Sequence, residues 1–198
     1  MKASAWRKFL EDQRDRHRKV LFTVTELAHV AGTSRAALNV ELDRLRRQEI
    51  LTWYAHGLYG LPGAVAVETL VPAIDSHAYI TGHYALHVHN MVTQVPTVVT
   101  CFTDRRSPRA RLRDTPVGRL VFVCVCHGVY APGPGPAGGL ASPAQSLCDF
   151  VHLARRQGTR PEALVTFRNL ERIRTPELPD VLARYPVAVQ KHVLGLLP

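Results

Sequence analysis

Between Phe22 and Leu61 the spacing of apolar positions changes twice, and each change marks a new element. After Thr23, Leu27, Val30 and Ala31 form one apolar side of a short helix, and Thr23 with Glu26 three positions on makes a capping box. Gly32 predicts a tight turn. Thr33 or Ser34 then caps a second helix, in which Leu38, Leu42 and Leu45 recur at i, i+4 and i+7 and face a core. Beyond Glu49 the pattern becomes that of two strands, ILTWYA and LYGL, separated by a His56-Gly57 turn. Upstream, residues 4–20 read as an amphipathic helix with Trp6, Phe9, Leu10, Gln13 and His17 on one side. Helix, helix, turn, helix and hairpin in that order predict a winged helix-turn-helix over residues 1–62.

Residues 63–198 predict a second, mixed α/β domain ending in several helices, so the fold class is α+β. The apolar run to Pro72 reads as a linker or a first strand. A helix over His83 to Met91 follows Gly82, and Pro96 opens a strand, TVVTCF. TDRRSPRARLRDTPVG reads as a polar loop, and RLVFVCVC, from Arg119 to Cys126, as a central strand covered on both faces. APGPGPAGG at 131–139 reads as a surface loop. Ser142-Pro143-Ala144-Gln145 is a helix start, with Leu147, Cys148, Val151 and Ala154 as the buried side and Gly158 as the stop. A second capping box, Thr159 to Glu162, predicts a helix carrying Leu164, Phe167, Leu170 and Ile173. Two shorter helices, Leu178–Tyr185 and Val187–Leu196, flank Pro186.

The second helix of the N-terminal region carries the candidate chemistry. With its leucines inward, Ser34, Arg35, Ala36 and Asn39 face out near its start, next to Thr33. Arginine pairs with the guanine edge, asparagine with adenine, and a small alanine lets a helix sit deep in the major groove. Arg44, Arg46 and Arg47 are candidates for phosphates, which give affinity without sequence information. Asp43 is repelled by a DNA backbone, so the end of the helix is expected to lift away. His56 and Gly57 form the tip of the wing, expected against the minor groove or backbone. Winged helices also serve as protein-binding modules with solvated charges, and agreement among cap, turn, leucine triplet and hairpin favours DNA.

Composition points the same way. The formal charge is +9 and the pI near 9.9, which favours a polyanionic partner. Residues 1–62 hold eleven Lys/Arg against seven Asp/Glu and the remainder fourteen against nine, so the excess is shared by both regions. Arg105, Arg106, Arg109, Arg111 and Arg113 form a possible second anionic contact, for flanking DNA or an acidic or RNA-associated surface, against the plain alternative of a solvated loop. The charged N-terminus and the lack of a long apolar run predict a cytoplasmic chain without membrane partners, and four cysteines do not make a disulfide framework.

Several motifs in order resemble one family. YITGHYALHVHNMVTQVPTVVTCFT carries Ala85, Leu86, His89, Asn90 and Met91, then Gln94, Val95 and Pro96, and ASPAQSLCDFVHLARR carries Ser142, Pro143, Gln145, Leu147 and Asp149. With the N-terminal region, these resemble the AbiEi-type antitoxins of type IV toxin–antitoxin systems over roughly Phe22 to Ile173. Asn90-Met91 stands where that family carries Gly-Leu, and Gln145 where it carries Glu. The resemblance implies a repressor that binds inverted repeats in the promoter of its own operon. It also implies an antitoxin that counteracts a cognate AbiEii-like nucleotidyltransferase toxin, functionally and without needing a stable complex. Two-fold operator symmetry implies two copies meeting on DNA.

Other chemistry is weaker. His83 and His87 lie four apart on a helix near His77 and His89, but without Cys or carboxylate ligands beside them they read as surface or core histidines and no metal is expected. Cys124 and Cys126 read as small buried hydrophobes with no basic neighbour close in sequence. No catalytic triad, P-loop, GxGxxG or carboxylate pair is present, so neither an enzyme nor a cofactor is expected. The competing function is a ligand-responsive winged-helix regulator with no toxin partner.

Overall fold

The computed structural model describes residues 2–106, 111–131 and 139–197. Within them the protein is α+β, with eight α-helices and two β-sheets. The chain divides into two units, residues 1–70 with 115–117, and residues 71–114 with 118–198.

The first unit begins with α1 (Ala3–His17), whose Trp6 and Leu10 are fully buried, and which stops where Arg18 turns left-handed. A three-residue strand, β1 (Leu21–Thr23), leads into α2 (Val24–Ala31). Here the expected capping box forms: the Thr23 hydroxyl accepts from the Glu26 amide at 3.2 Å, and the Glu26 carboxylate accepts from the Thr23 amide at 2.8 Å. Partial burial works against the Glu26 charge, but Lys19 and the Thr23 donors outweigh it and hold the carboxyl below its ordinary range. Gly32 ends α2 in the left-handed region, at φ 58°. Ser34 then caps α3 (Arg35–Arg47), accepting from the Ala37 amide at 3.3 Å.

Leu38, Leu42 and Leu45 of α3 pack with Trp6, Leu10, Phe22 and Leu27 in one core. The hairpin β2 (Thr52–Ala55) and β3 (Leu58–Gly60) turns at His56-Gly57. Strand β1 pairs antiparallel with β3, giving a sheet of order β1-β3-β2. The periodicity did not reveal β1, because three residues carry no pattern and the partner strand specifies them. Gly60 lies tight against its surroundings: a Cβ there would stand 2.5 Å from the Val20 carbonyl and 2.9 Å from Val65 Cγ2.

The run expected as linker or strand is instead a helix, α4 (Val67–Ile74). Val67, Leu70 and Val71 are buried at helical spacing, and the Ala66 carbonyl accepts from the Leu70 amide at 3.0 Å. Pro72 lies inside this helix, past its first turn, and has no N–H to give to the carbonyl four residues back.

In the second unit, β4 (Tyr79–Thr81) is followed directly by α5 (Gly82–Val88), then β5 (Val98–Thr103), β6 (Leu112–Thr115) and β7 (Gly118–Cys124). The sheet order is β4-β5-β7-β6. Strand β4 is antiparallel to β5, whereas β5 and β7 run parallel, in register from Val98↔Arg119 to Thr103↔Cys124. Strand β6 occupies part of the stretch expected as a loop: the Phe122 amide donates to Arg111 and draws those polar residues onto the sheet edge. Strand β7 is interior in the sheet, but its side chains alternate between buried Leu120 and Phe122 and half-buried Val121 and Val123. Residues 132–138, most of the expected surface loop, lie outside the described residues.

Helix α6 (Pro143–Arg156) starts at the expected Ser142 cap and is the most buried helix, packed against α5 and β4. It also packs on α7 (Leu178–Ala183) and α8 (Val187–Leu196), which flank Pro186 as expected. The helix expected after Thr159 does not form. Two short 3-10 turns, Pro161–Ala163 and Leu170–Ile173, stand in its place, with a β-bridge from Phe167 to Val92 between them. Backbone pairing with the 91–93 segment wins over local helical spacing: Arg168 donates to Met91 at 2.9 Å and Thr93 to Thr166 at 3.3 Å. Gln94 reinforces it, accepting from the Thr166 amide at 2.9 Å.

Candidate nucleic-acid interface

The outward side of α3 combines small, polar and basic groups. Ser34, Arg35, Ala36 and Asn39 are all exposed, as the leucine spacing required, and Thr33 is half-buried. Val40, one turn beyond Ala36, is 74% exposed on the same side. Val40 was not among the expected contact residues. Its signal was present all the same, since an apolar residue out of phase with Leu38, Leu42 and Leu45 must face away from the core. Trp53 on β2 is a second large apolar side chain left exposed, at 42%.

At the basic end of α3, the three arginines expected near phosphates meet carboxylates of their own helix. Arg47 is paired with Asp43 one turn back, Arg46 approaches the same carboxylate at 3.9 Å, and Arg44 meets Glu41 at 3.3 Å. Glu41 also accepts from the Trp6 indole at 2.8 Å, tying α3 to α1. All three arginines are exposed, so the pairs exchange readily with other anions. Asp43 is therefore partly compensated by its own helix.

At the hairpin, Gly57 takes φ 73°, a left-handed conformation that glycine enters without strain, next to a register shift between Trp53 and Ala55. Its carbonyl accepts from the Val24 amide at 3.0 Å, which holds the turn against the start of α2. His56 remains exposed at the tip.

The arginine cluster is in the second unit. Arg105, Arg106 and Arg111 are exposed and Arg113 is half-buried; Arg109 lies outside the described residues. The four line an open cleft of ≈ 1140 Å³, together with Arg156 from the end of α6 and His127. The Arg113 guanidinium sits over the Phe122 ring, 4.5 Å from its centroid. Two carboxylates share the wall and are already engaged. Asp75 accepts from Thr103 Oγ1 at 2.8 Å and from the His77 amide at 3.0 Å, and Asp104 faces His77 Nδ1 at 2.9 Å. Cys124 and Cys126 also line the cleft, half-buried and exposed, not buried as expected, with basic groups brought near by the fold.

Asp149, expected only as part of a motif, gathers a buried polar cluster. Its carboxylate is 1% exposed and accepts from Thr81 Oγ1 at 2.6 Å, Tyr185 Oη at 2.5 Å, Tyr79 Oη at 3.2 Å and Gln145 Nε2 at 3.0 Å. Burial pushes the Asp149 pKa up, the four donors pull it partly back, and the result is about 6. Burial and the same carboxylate push both tyrosines up. Gln145 suits this place, because its amide can donate where an ionised glutamate would repel Asp149. The signal lay in the pattern: an aspartate four residues from Gln145, on the apolar side of an amphipathic helix, requires buried partners.

The histidines serve separate local contacts. His83 Nε2 lies 3.1 Å from the Gln94 carbonyl, His89 Nε2 lies 2.7 Å from that of Ala141, and His77 faces Asp104. Burial lowers the His83 pKa. Asn90 follows in the left-handed region at φ 59°, a conformation that asparagine tolerates better than other non-glycine residues. No helix among the described residues is long and apolar enough to cross a membrane. No protein-family model matches the chain, and no curated protein is significantly similar to it.

Proposed function

We propose that the first unit is a winged helix-turn-helix that binds duplex DNA, and that the chain is a transcriptional repressor of its own promoter. The observation that carries this reading is the exposed face of α3. There Arg35 and Asn39 flank an Ala36-Val40 strip on a helix fixed by its serine cap and three buried leucines. Arginine and asparagine supply donors and acceptors for base edges, while the apolar strip suits close approach to thymine methyl groups. Arg44, Arg46 and Arg47 exchange their carboxylate partners for phosphates, and the short wing at His56-Gly57 meets the backbone beside the groove.

In the same reading the second unit acts as a type IV antitoxin, opposing a nucleotidyltransferase toxin encoded alongside, and two copies assemble on an inverted repeat. Its support is the ordered series of motifs through Asp149, together with the two-fold symmetry of such operators. Fluorescence anisotropy with DNA from upstream of the gene, against a scrambled duplex at several salt concentrations, tests the DNA half. Specific binding that weakens steeply with salt is expected. Equal affinity for both duplexes, or none, overturns it. Co-expression with the adjacent gene, scored for rescue of growth, tests the antitoxin half; no rescue removes it. The arginine-lined cleft favours a second reading, a regulator whose second unit takes a small effector.

A further inference from the structure

The cleft in the second unit is built from parts of the chain that are distant in sequence. Arg105 and Arg106 follow the end of β5, Arg111 and Arg113 lead into and along β6, His127 follows β7, and Arg156 closes α6. A solvated loop tip would present only its own arginines. Here Arg156, some fifty residues further on, joins them, so tertiary folding assembles the charge. Five guanidiniums face two carboxylates, and both carboxylates are occupied by Thr103 and His77. Among the described residues, none of Arg105, Arg106, Arg111 and Arg156 is paired with a carboxylate. So many like charges around one hollow focus a positive potential that draws an anion.

Two features select the kind of anion. The hollow lies at the carboxyl ends of β5 and β7, a parallel pair, and in open α/β sheets ligands bind in crevices outside the carboxyl ends of the strands. It is also concave, at ≈ 1140 Å³, a size that encloses a nucleotide. A duplex is too broad to enter such a hollow and would span it. We infer that this cleft binds a small molecule bearing a polyphosphate chain, of the nucleoside di- or triphosphate class, with the arginines holding its phosphates. This inference stands on the second unit alone and is independent of the DNA-binding reading.

Isothermal titration of the full chain tests it with four probes: ATP, GTP, inorganic tripolyphosphate and a twelve-residue single-stranded oligonucleotide. Saturable binding of a nucleotide or of tripolyphosphate is expected. Tighter nucleotide than tripolyphosphate binding identifies a base contact; equal binding identifies the phosphate chain as the recognised group. The double variant Arg106→Gln/Arg111→Gln should weaken the interaction about 100-fold, at roughly tenfold for each arginine–phosphate hydrogen bond removed. Arg160→Gln, at an exposed arginine outside the cleft, should leave it unchanged. Because Arg106 and Arg111 are exposed, the double variant should keep the wild-type urea midpoint, which separates loss of binding from loss of fold. The inference is overturned if neither nucleotide nor tripolyphosphate binds, if the double variant binds them as well as wild type does, or if only the oligonucleotide engages these arginines.

Discussion

Replacing Asp149 by asparagine keeps the shape of the side chain and removes its charge, so it isolates what burying that charge costs. Folding raises the carboxyl from its ordinary value of 3.8 to about 6, about two units, equivalent to about 3 kcal/mol. In the unfolded chain Asp149 titrates at its ordinary value. Between those two values the folded state therefore holds more protons than the unfolded one, and stability rises as pH falls. The contribution is fully present below the unfolded pKa and is lost as pH rises through about 6. From pH 7.5 to pH 5 wild type should gain about 1.4 kcal/mol relative to Asp149→Asn, approaching about 3 kcal/mol below pH 4.

Urea unfolding followed by far-ultraviolet circular dichroism at several pH values gives the difference directly. Both tryptophans, Trp6 and Trp53, lie in the first unit, so their emission reports on that unit. Parallel pH profiles for wild type and Asp149→Asn would refute the reasoning, because they would mean that the carboxyl ionises as it does in water. Asp149→Ala is more severe. It takes away the acceptor shared by the Thr81, Tyr79 and Tyr185 hydroxyls, while Gln145 keeps the two tyrosine oxygens, and should cost about 3–5 kcal/mol at about 1–3 kcal/mol for each donor left unsatisfied.

Arg35→Ala should cost about 1–3 kcal/mol of operator binding and relax preference at one base pair; equal loss on operator and random DNA would remove Arg35 from base recognition. Asp43→Asn releases Arg46 and Arg47 and removes a charge that opposes phosphate, so DNA binding should tighten roughly fivefold, about 1 kcal/mol for one repulsion in water. Unchanged anisotropy curves would place the end of α3 away from the backbone. Gly60→Ala forces a methyl against the Val20 carbonyl and Val65, and a loss of about 1–3 kcal/mol is expected in the tryptophan-monitored urea midpoint. Gly57→Ala meets no atom and should cost only the left-handed strain, about 1–2 kcal/mol; a larger effect than that of Gly60→Ala would contradict the packing described.

Elements that declare themselves locally were legible in the sequence. The Thr23–Glu26 box, the Ser34 and Ser142 caps, and the leucines of α3 each act over four to seven residues, and all appear where the pattern put them. Errors cluster where a distant partner decides. Leu164, Phe167 and Leu170 carry helical spacing, but Phe167 bridges to Val92 and its neighbours pair with Met91 and Thr93, contacts more than seventy residues away. Strand β6 is polar and short, and only its neighbour in the sheet makes it a strand. The α4 run does carry helical spacing, with Val67, Leu70, Val71 and Ile74 at i, i+3, i+4 and i+7 around polar Glu68 and Thr69, but Pro72 inside it argues against a helix on local grounds.

The same division separates the two candidate surfaces. The α3 face is one stretch of helix, and its residues follow from the leucines by subtraction, Val40 included. The cleft obeys no such rule. Its arginines looked like a loop because four of the five are close in sequence, and the observation against that view is Arg156, which belongs to a helix chosen by its serine cap and apolar face. Nothing in that helix's internal pattern calls for a basic residue at this cleft, since arginines in a last turn already suit the helix dipole. Charge that converges from a separately specified element, at the carboxyl ends of two parallel strands, is harder to explain by surface solubility than the same arginines spread along one loop. On that ground the cleft, and not the arginine-rich segment, is the unit that mutagenesis should address, with Arg156 altered alongside Arg106 and Arg111.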